Sequence, residues 1–190
     1  MEYVLSVTGD PASALGALQA VMKNDDTLIA VAIGAEKLDD TLNTCISAGA
    51  SRTYRLMDED FKGSDTWALA RIYAAFVQKY SPEMELMIFS RYSSALPMLA
   101  HLIGVQQFCY VTEIASDAEG IIVTQDYGDE RRKCRVPRGS VISLKENTQF
   151  SYEDKSASAS KIENIDREGL ELAEMSVGFR GSRVFAREVC

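Results

Sequence analysis

Six residues in three short segments have the side chains and spacing that suit binding of a phosphate group. Hydroxyl and guanidinium groups donate hydrogen bonds to phosphate oxygens, and glycine lets a backbone approach such a ligand closely. Parallel strands present their carboxyl ends at one edge of a sheet, where α/β proteins bind ligands. Each segment follows an apolar run, so Thr8, Gly34, Ser90, Arg91, Ser93 and Ser94 are the candidate residues if the chain binds an anion or a nucleotide. The two last serines precede a helical pattern, whose N-terminus favours anions.

The sequence carries no motif that would specify a catalytic or metal site. The first apolar run continues as Ser6-Val7-Thr8-Gly9-Asp10-Pro11, which is not a GxGxxG fingerprint, and there is no Walker loop. His101, the single histidine, lies among apolar neighbours and is expected to pack on a helix face. The four cysteines lack CxxC spacing. We therefore predict no catalytic residue, no metal and no stand-alone enzyme.

Composition narrows the function classes further. With 190 residues, 46% of them hydrophobic and 25% charged, the chain has the profile of one ordinary globular domain. A net charge of -8 argues against a nucleic-acid partner, which needs a concentrated basic face. No apolar run approaches the roughly 20 residues that span a bilayer. The N-terminal run Met1–Ser6 has no basic region typical of a signal peptide. We expect a cytoplasmic protein without a membrane partner.

Strand and helix patterns alternate along the first two thirds of the chain. Apolar runs predict strands at Tyr3–Val7, Leu28–Ile33, Thr53–Met57, Leu86–Phe89 and Phe108–Val111. Helical periodicity lies between them, at 11–24, Lys37–Ser47, a long helix capped by Ser64-Asp65, and Leu96–Ile103. This rhythm predicts right-handed βαβ units. The fold class is therefore α/β, with a doubly wound, mostly parallel sheet of the adenine-nucleotide-binding (Rossmann-like) type.

The pattern changes after residue 111. Short runs at 112–114, 121–125, 131–136 and 141–144, separated by turn residues, predict a small antiparallel meander. Residues 146–161 are polar and rich in serine, which is typical of a linker. Apolar residues then return as far as Val184 and Phe185, so this tail must pack on its own domain or on a partner. We divide the chain into an α/β domain at 1–145 and a linker with a C-terminal arm at 146–190.

Five segments, in order along most of the chain, resemble the β subunits of electron-transfer flavoproteins. The most informative contains Phe61-Lys62-Gly63-Ser64-Asp65-Thr66, which is similar to a phe-x-gly-ser-asp-thr turn that opens an alanine-rich helix in that family. The others are Ala48–Arg52, Leu102–Val105 with Tyr110–Ile114, Val136–Leu144, and Gly178–Val184. The resemblance implies a doubly wound fold, with FAD or AMP as cofactor and a flavin-carrying α-type subunit as partner.

Three departures from the family pattern concern binding. The loop after the first strand is nearly absent, since Thr8-Gly9-Asp10-Pro11 leads directly into a helix. The family's phosphate-binding loop with its asp-gly-asp-thr core is replaced by Ser90-Arg91-Tyr92-Ser93-Ser94-Ala95-Leu96. The family's partner-recognition segment is reduced to Asn147–Tyr152. Losing three charge-assisted hydrogen bonds to phosphate removes about 4–9 kcal/mol of binding free energy, so a tight nucleotide site requires replacement groups.

The leading hypothesis is a divergent β-type subunit that pairs with the α-type subunit in electron transfer from dehydrogenases. A second is an adenine-nucleotide-binding module that uses Thr8, Gly34, Ser90 and Arg91. A third is a degenerate, non-binding structural paralogue that associates with a second copy of itself. The sequence leaves open whether a nucleotide is retained, which donor and acceptor serve, and where the arm runs.

Overall fold

Strands buried on both faces form the middle of the structure. The computed structural model describes residues 1–34, 38–155 and 160–183. Apolar runs such as LIAVA in the second strand are fully covered, which is the pattern of a parallel strand between two helix layers. The strands in these ranges are β1 (Glu2–Ser6), β2 (Thr27–Ile33), β3 (Arg52–Leu56), β4 (Met84–Phe89), β5 (Gln107–Asp117), β6 (Gly120–Asp126), β7 (Arg131–Val136), β8 (Ser140–Leu144) and β9 (Ile162–Ile165).

All these strands belong to one sheet, in the order β7-β6-β5-β8-β4-β1-β2-β3-β9. In this spatial order, every neighbouring pair in the run β5-β8-β4-β1-β2-β3-β9 is parallel. β6 pairs antiparallel with both β5 and β7. The predicted doubly wound, mostly parallel sheet is confirmed. The chain moves from β1 to β2 and β3 on one side and then returns to β4 on the other side of β1. The topological switch point is therefore between β1 and β4.

Helices cover both faces of the sheet. They are α1 (Ala12–Gln19), α2 (Asp39–Ser47), α3 (Thr66–Tyr80), α4 (Ala95–Ile103) and the single turn α5 (Gly178–Gly181). Leu15 of α1 and Leu42 of α2 belong to one hydrophobic core, and Phe76 of α3 and Leu99 of α4 to the other. Asp65 begins α3 as predicted, because its carboxylate accepts the N–H of Ala68 at 2.9 Å.

The prediction for the strand at 141–144 is wrong. Instead of closing an antiparallel meander, β8 lies between β4 and β5 and is parallel to both. Every one of its residues is buried, as expected for a strand inside a parallel sheet. The runs predicted separately at 108–111 and 112–114 form the single strand β5. Choice of pairing partner is non-local, so a short apolar run leaves it open.

Two helical details also differ from the predictions. The first helix ends at Gln19 rather than at residue 24. Asp26 explains the earlier end, because its carboxylate accepts the N–H of Lys23 at 2.7 Å and pairs with the N-terminal ammonium. His101 is exposed rather than packed. The buried positions of α4 are Ala95, Leu96, Leu99 and Ala100, and the next residue turns away from that face.

Residues 160–183 return to the sheet of their own chain. β9 pairs with β3 at the edge, with Ile162 opposite Thr53. Asp58 then holds the following segment, because its carboxylate accepts the N–H of Arg167 at 2.9 Å. Further along, the N–H of Gly178 donates to Ser64 Oγ at 2.9 Å. Lys37, at the start of one predicted helix, and Val184, Phe185 and Cys190 lie outside the described residues.

Replacing Gly178 by alanine is expected to detach this segment from the loop at 58–65. Gly178 has a φ of +60°, and a Cβ there would overlap the carbonyl oxygen of Asp60. We expect Gly178→Ala to lower the free energy of unfolding by about 2–4 kcal/mol, measured by urea denaturation. Gly104→Ala is the matched control, since its φ is +73° but no atom lies within 4 Å of the added Cβ. Equal losses of stability in the two variants would show that overlap with the carbonyl oxygen of Asp60 does not destabilise the protein.

Candidate functional site

Two of the predicted residues meet at the switch point between β1 and β4. Thr8 follows β1 and Ser90 follows β4, and their hydroxyl oxygens are 3.0 Å apart. The backbone N–H of Thr8 also donates to Ser90 Oγ at 3.3 Å. The N–H of Ser90 donates to the carbonyl oxygen of Ser6 at 3.3 Å, which keeps the two strand ends in register. The crevice outside these strand ends is where ligands bind in open α/β sheets.

A cleft of about 280 Å³ opens at this point. One wall consists of Gly9, Asp10, Ser90 and Arg91, and the other of the segment 145–148 that follows β8. The guanidinium carbon of Arg91 lies 4.0 Å from the position that a Cβ on Gly9 would occupy. Arg91 is exposed, and within the described ranges it forms no ion pair. Its charge is therefore available to an anion in the cleft.

The structure does not bring Ser93 and Ser94 into this cleft. Ser93 lies two residues before α4, and it accepts the N–H of Ala95 on its hydroxyl at 3.3 Å and the N–H of Leu96 on its carbonyl at 3.0 Å. The third residue of the helix, Pro97, has no N–H. Ser94 Oγ instead lies 3.1 Å from Thr66 Oγ1 at the start of α3. The first turn of α4 thus has few amide groups left for a phosphate.

The N-terminus of α1 is also already occupied. The carboxylate of Asp10 accepts the N–H of Ala12 at 3.0 Å. A carboxylate is stabilised there by the positive end of the helix dipole. A phosphate in the same cleft would have to bind beside this negative charge. Two cations line the cleft, Arg91 and Lys145, and Lys145 already pairs with Asp126 at 3.2 Å, so Arg91 is the more available of the two.

Gly34 lines a different pocket, at the carboxyl ends of β2 and β3. This pocket measures about 400 Å³ and has an apolar wall of Ile33, Leu56 and Phe61. The N–H of Gly34 donates to the carbonyl oxygen of Leu56 at 3.1 Å. Of the six predicted residues, Thr8, Ser90 and Arg91 are brought together, and the other three lie apart.

Sequence reasoning missed a row of three tyrosines at the same edge of the sheet. The ring centroids of Tyr92 and Tyr110 are 5.4 Å apart with planes 14° apart, and Tyr127 meets Tyr110 edge-on at 5.7 Å. The three side chains are 42%, 37% and 46% exposed, respectively. The sequence contained one indication, because Tyr92 directly follows Arg91 in a loop already identified as a candidate site.

The backbone beneath the tyrosine row is strained. Tyr110 has a φ of +58°, a conformation that costs a bulky residue about 1–3 kcal/mol. The pairing of β5 with β8 shifts register across this residue, between Phe108 and Val111, and the pairing with β6 shifts just after it, between Val111 and Glu113. Such irregularities occur in β-bulges that redirect side chains beside functional sites. Buried Gln125 supports the distortion, because its amide group donates to the carbonyl of Cys109 at 2.8 Å and to Tyr127 Oη at 2.7 Å. The neighbouring structure therefore holds the row in a strained arrangement.

A buried hydroxyl pair lies one residue layer below the cleft. Ser6 Oγ donates to Tyr73 Oη at 2.8 Å, and both residues are buried. Burial raises the pKa of Tyr73 to about 12, against the opposing effect of the hydrogen bond from Ser6. This contact joins β1 to α3, two residues before Thr8 in the chain.

The part of the chain that the structure describes contains no group of three or more histidine, cysteine or acidic residues that could hold a metal ion. Across the same ranges, no helix has both the length and the apolar character needed to cross a membrane.

Comparison with known proteins relates the chain to electron-transfer flavoproteins. The model of the electron transfer flavoprotein domain matches residues 12–170. The electron transfer flavoprotein subunit beta of Methylophilus methylotrophus is 32% identical over 60 residues, which are 32% of this chain and 23% of that protein. The aligned part of the chain thus spans less than a quarter of that relative's length. Since the family model covers most of the chain, it agrees with the resemblance seen in the sequence.

Replacing Tyr73 by phenylalanine is expected to reduce the loss of stability at alkaline pH. The folded pKa of about 12 is above the ordinary value of 10.0, so Tyr73 supports folding below pH 10 and that support is lost as the pH rises towards 12. Between pH 8 and pH 11 the free energy of unfolding should fall by about 1 kcal/mol less in Tyr73→Phe than in the wild type. Both proteins keep Tyr3 and Cys45, whose pKa values are also raised to about 12, so their effect cancels. Parallel pH profiles from denaturant unfolding would contradict the assignment.

Proposed function

Because the chain belongs to the electron-transfer flavoprotein β-subunit family, we propose that it pairs with an α-type subunit that carries the flavin. In this complex, electrons would pass from dehydrogenases to the flavin of the partner. The chain itself would contribute no catalytic side chain and would act as an accessory subunit rather than a stand-alone enzyme. The cytoplasmic location expected from the sequence is part of the same proposal.

The main observation behind this proposal is the size of the cleft at the switch point between β1 and β4. Sites that bury drug-sized ligands measure about 300–1,000 Å³, whereas this cleft measures about 280 Å³. A flavin dinucleotide is larger than such a ligand, and its diphosphate would meet Asp10 at the N-terminus of α1. This cleft would therefore not enclose a whole FAD molecule. A redox function in this family then requires that a partner supply the flavin.

Exposed apolar side chains on the C-terminal segment form a candidate surface for that partner. Phe179 and Met175 are 70% and 67% exposed, which leaves two large apolar side chains in solvent. The ring of Phe179 lies over Gly63, which belongs to the loop before α3. In the proposed complex, residues 1–145 form the electron-transfer-flavoprotein-like domain, and 146–190 supply the linker and the arm that meets the partner.

A second candidate function is binding of an adenine mononucleotide such as AMP. The guanidinium of Arg91, which has no ion pair within the described residues, lies beside the Thr8–Ser90 hydroxyl pair and favours it, since these groups suit a single phosphate. The residues present thus fit a phosphate group. When bound, the nucleotide would supply no redox chemistry and would serve as a structural or regulatory ligand. If the chain binds neither AMP nor an α-type subunit, the third hypothesis is favoured, a structural paralogue that associates with a second copy of itself.

An absorbance spectrum from 300 to 500 nm tests where the flavin is held. We expect the purified chain to lack the flavin bands and its complex with a co-expressed α-type subunit to show them. Acid release and chromatography would identify any nucleotide on the isolated chain. Flavin bound to this chain alone would overturn the proposal.

Replacing Phe179 by serine tests the proposed partner surface. Because the side chain is largely exposed, the variant should keep its fold. Its loss should weaken the complex with the α-type subunit at least about tenfold if Phe179 is a buried anchor there. Size-exclusion chromatography and titration calorimetry would measure the change. Arg132→Ser, on the opposite edge strand β7, is the control and should bind as the wild type does.

A further inference from the structure

We propose that residues 147–155 act as an intramolecular clasp that keeps the C-terminal part of the chain on its own domain. The clasp is an extended segment docked across α1 and the end of α2, in a binding groove that these two helices form. The inference goes beyond the proposed function and does not depend on it, because it concerns contacts within this chain alone.

Two side chains of α1 bind the main chain of the clasp. Ser13 Oγ donates to the carbonyl oxygen of Thr148 at 2.6 Å and accepts the N–H of Phe150 at 3.2 Å. The side-chain amide of Gln19 accepts the N–H of Glu153 and donates to the carbonyl oxygen of the same residue, both at 2.9 Å. Gln19 thus pairs with Glu153 as a residue of a neighbouring antiparallel strand would. All four bonds involve backbone atoms of the clasp, so they do not depend on its outward side chains.

The clasp lies directly on the helix at Gly16. A Cβ on Gly16 would be 2.6 Å from the carbonyl oxygen of Ser151 and 2.8 Å from the Cβ of Phe150, so the contact requires glycine. Gly16 is buried in the interior of α1, where alanine ordinarily favours the helix by about two- to fivefold. Close docking of the clasp therefore gives a physical reason for glycine at this position.

Alternate side chains of the clasp face the groove. Phe150 and Tyr152 are partly buried and pack against the core that α1 and α2 cover, whereas Gln149, Ser151 and Glu153 are exposed. This alternation is that of an extended strand with one covered face. The groove therefore binds an extended segment with aromatic residues at alternate positions.

Docking also shortens the connection that must close before β9 pairs with β3. The N–H of Lys155 donates to the carbonyl oxygen of Ser47 in α2 at 2.9 Å, so the chain is anchored again just before β9. The connection between anchored points falls from 145–161 to 156–161, roughly a third of its length, which favours pairing of β9 about fivefold. The clasp therefore helps to hold β9, and the segment that follows it, on the same chain.

Hydrogen–deuterium exchange of the full-length chain, followed by NMR, tests the clasp. In the wild type, the amides of Phe150, Glu153 and Lys155 should exchange at least about a hundredfold more slowly than amides of an unstructured peptide. Gly16→Ala should speed their exchange at least about tenfold, although the substitution by itself favours the helix. Fast exchange of these amides in the wild type, or unchanged or slower exchange in Gly16→Ala, would overturn the inference.

Gln19→Leu is an independent test that adds no atom beside the clasp backbone at Gly16. It removes both bonds to Glu153 and should speed exchange of that amide at least about tenfold. Gln149→Leu is the matched control, because its side chain is exposed on the clasp itself, and it should leave exchange unchanged.

The effect on β9 tests whether the clasp holds the C-terminal part of the chain. In Gly16→Ala and Gln19→Leu, the amides of β9 should exchange about fivefold faster than in the wild type. The amides of β1 should exchange as in the wild type, since that strand lies inside the sheet. Release of the clasp with no change at β9 would show that the C-terminal part is held without it.

Discussion

The structure depends on burying β1, β2 and β4 on both faces. Parallel strands cannot be joined by a tight hairpin, and each connection from β1 to β4 crosses the sheet through a helix that covers it. Helices α1 and α2 cover one face, and α3 and α4 cover the other. The chain must therefore change direction at β1, and the crevice between β1 and β4 is a consequence of that reversal. Thr8 and Ser90 meet because their strands do.

The same helices limit what the crevice can bind. A helix that begins at a strand end offers positive amide groups to an anion, but at both helices nearest the cleft part of that set is already used. Asp10 accepts the N–H of Ala12 at α1, and at α4 Ser93 accepts the N–H of Ala95 while Pro97 has no N–H. These caps stabilise short helices, and they leave Arg91 as the main attraction for phosphate. A subunit that depends on its partner for the flavin is compatible with such a reduced site.

Strain and exposure are concentrated away from the buried strands. Tyr110 adopts a left-handed conformation where β5 changes partner from β8 to β6. At the other end of the sheet, β9 and the loop at 58–65 hold a C-terminal segment that leaves Phe179 in solvent. Both features lie where regular strand pairing is interrupted or ends. Side chains there are not confined to the two helix-covered faces of the sheet.

The sequence by itself determined the strand–helix rhythm, the parallel sheet and the position of Thr8, Ser90 and Arg91 at strand ends, since periodicity and caps are local properties. It also contained enough matched segments to indicate the family. Tertiary structure decided that β8 lies inside the sheet, that Gly34, Ser93 and Ser94 lie apart from the cleft, and that three tyrosines far apart in the chain form one row. Each of these depends on which strands pair and how β5 bends, and pairing is settled by contacts between distant residues rather than by any local pattern.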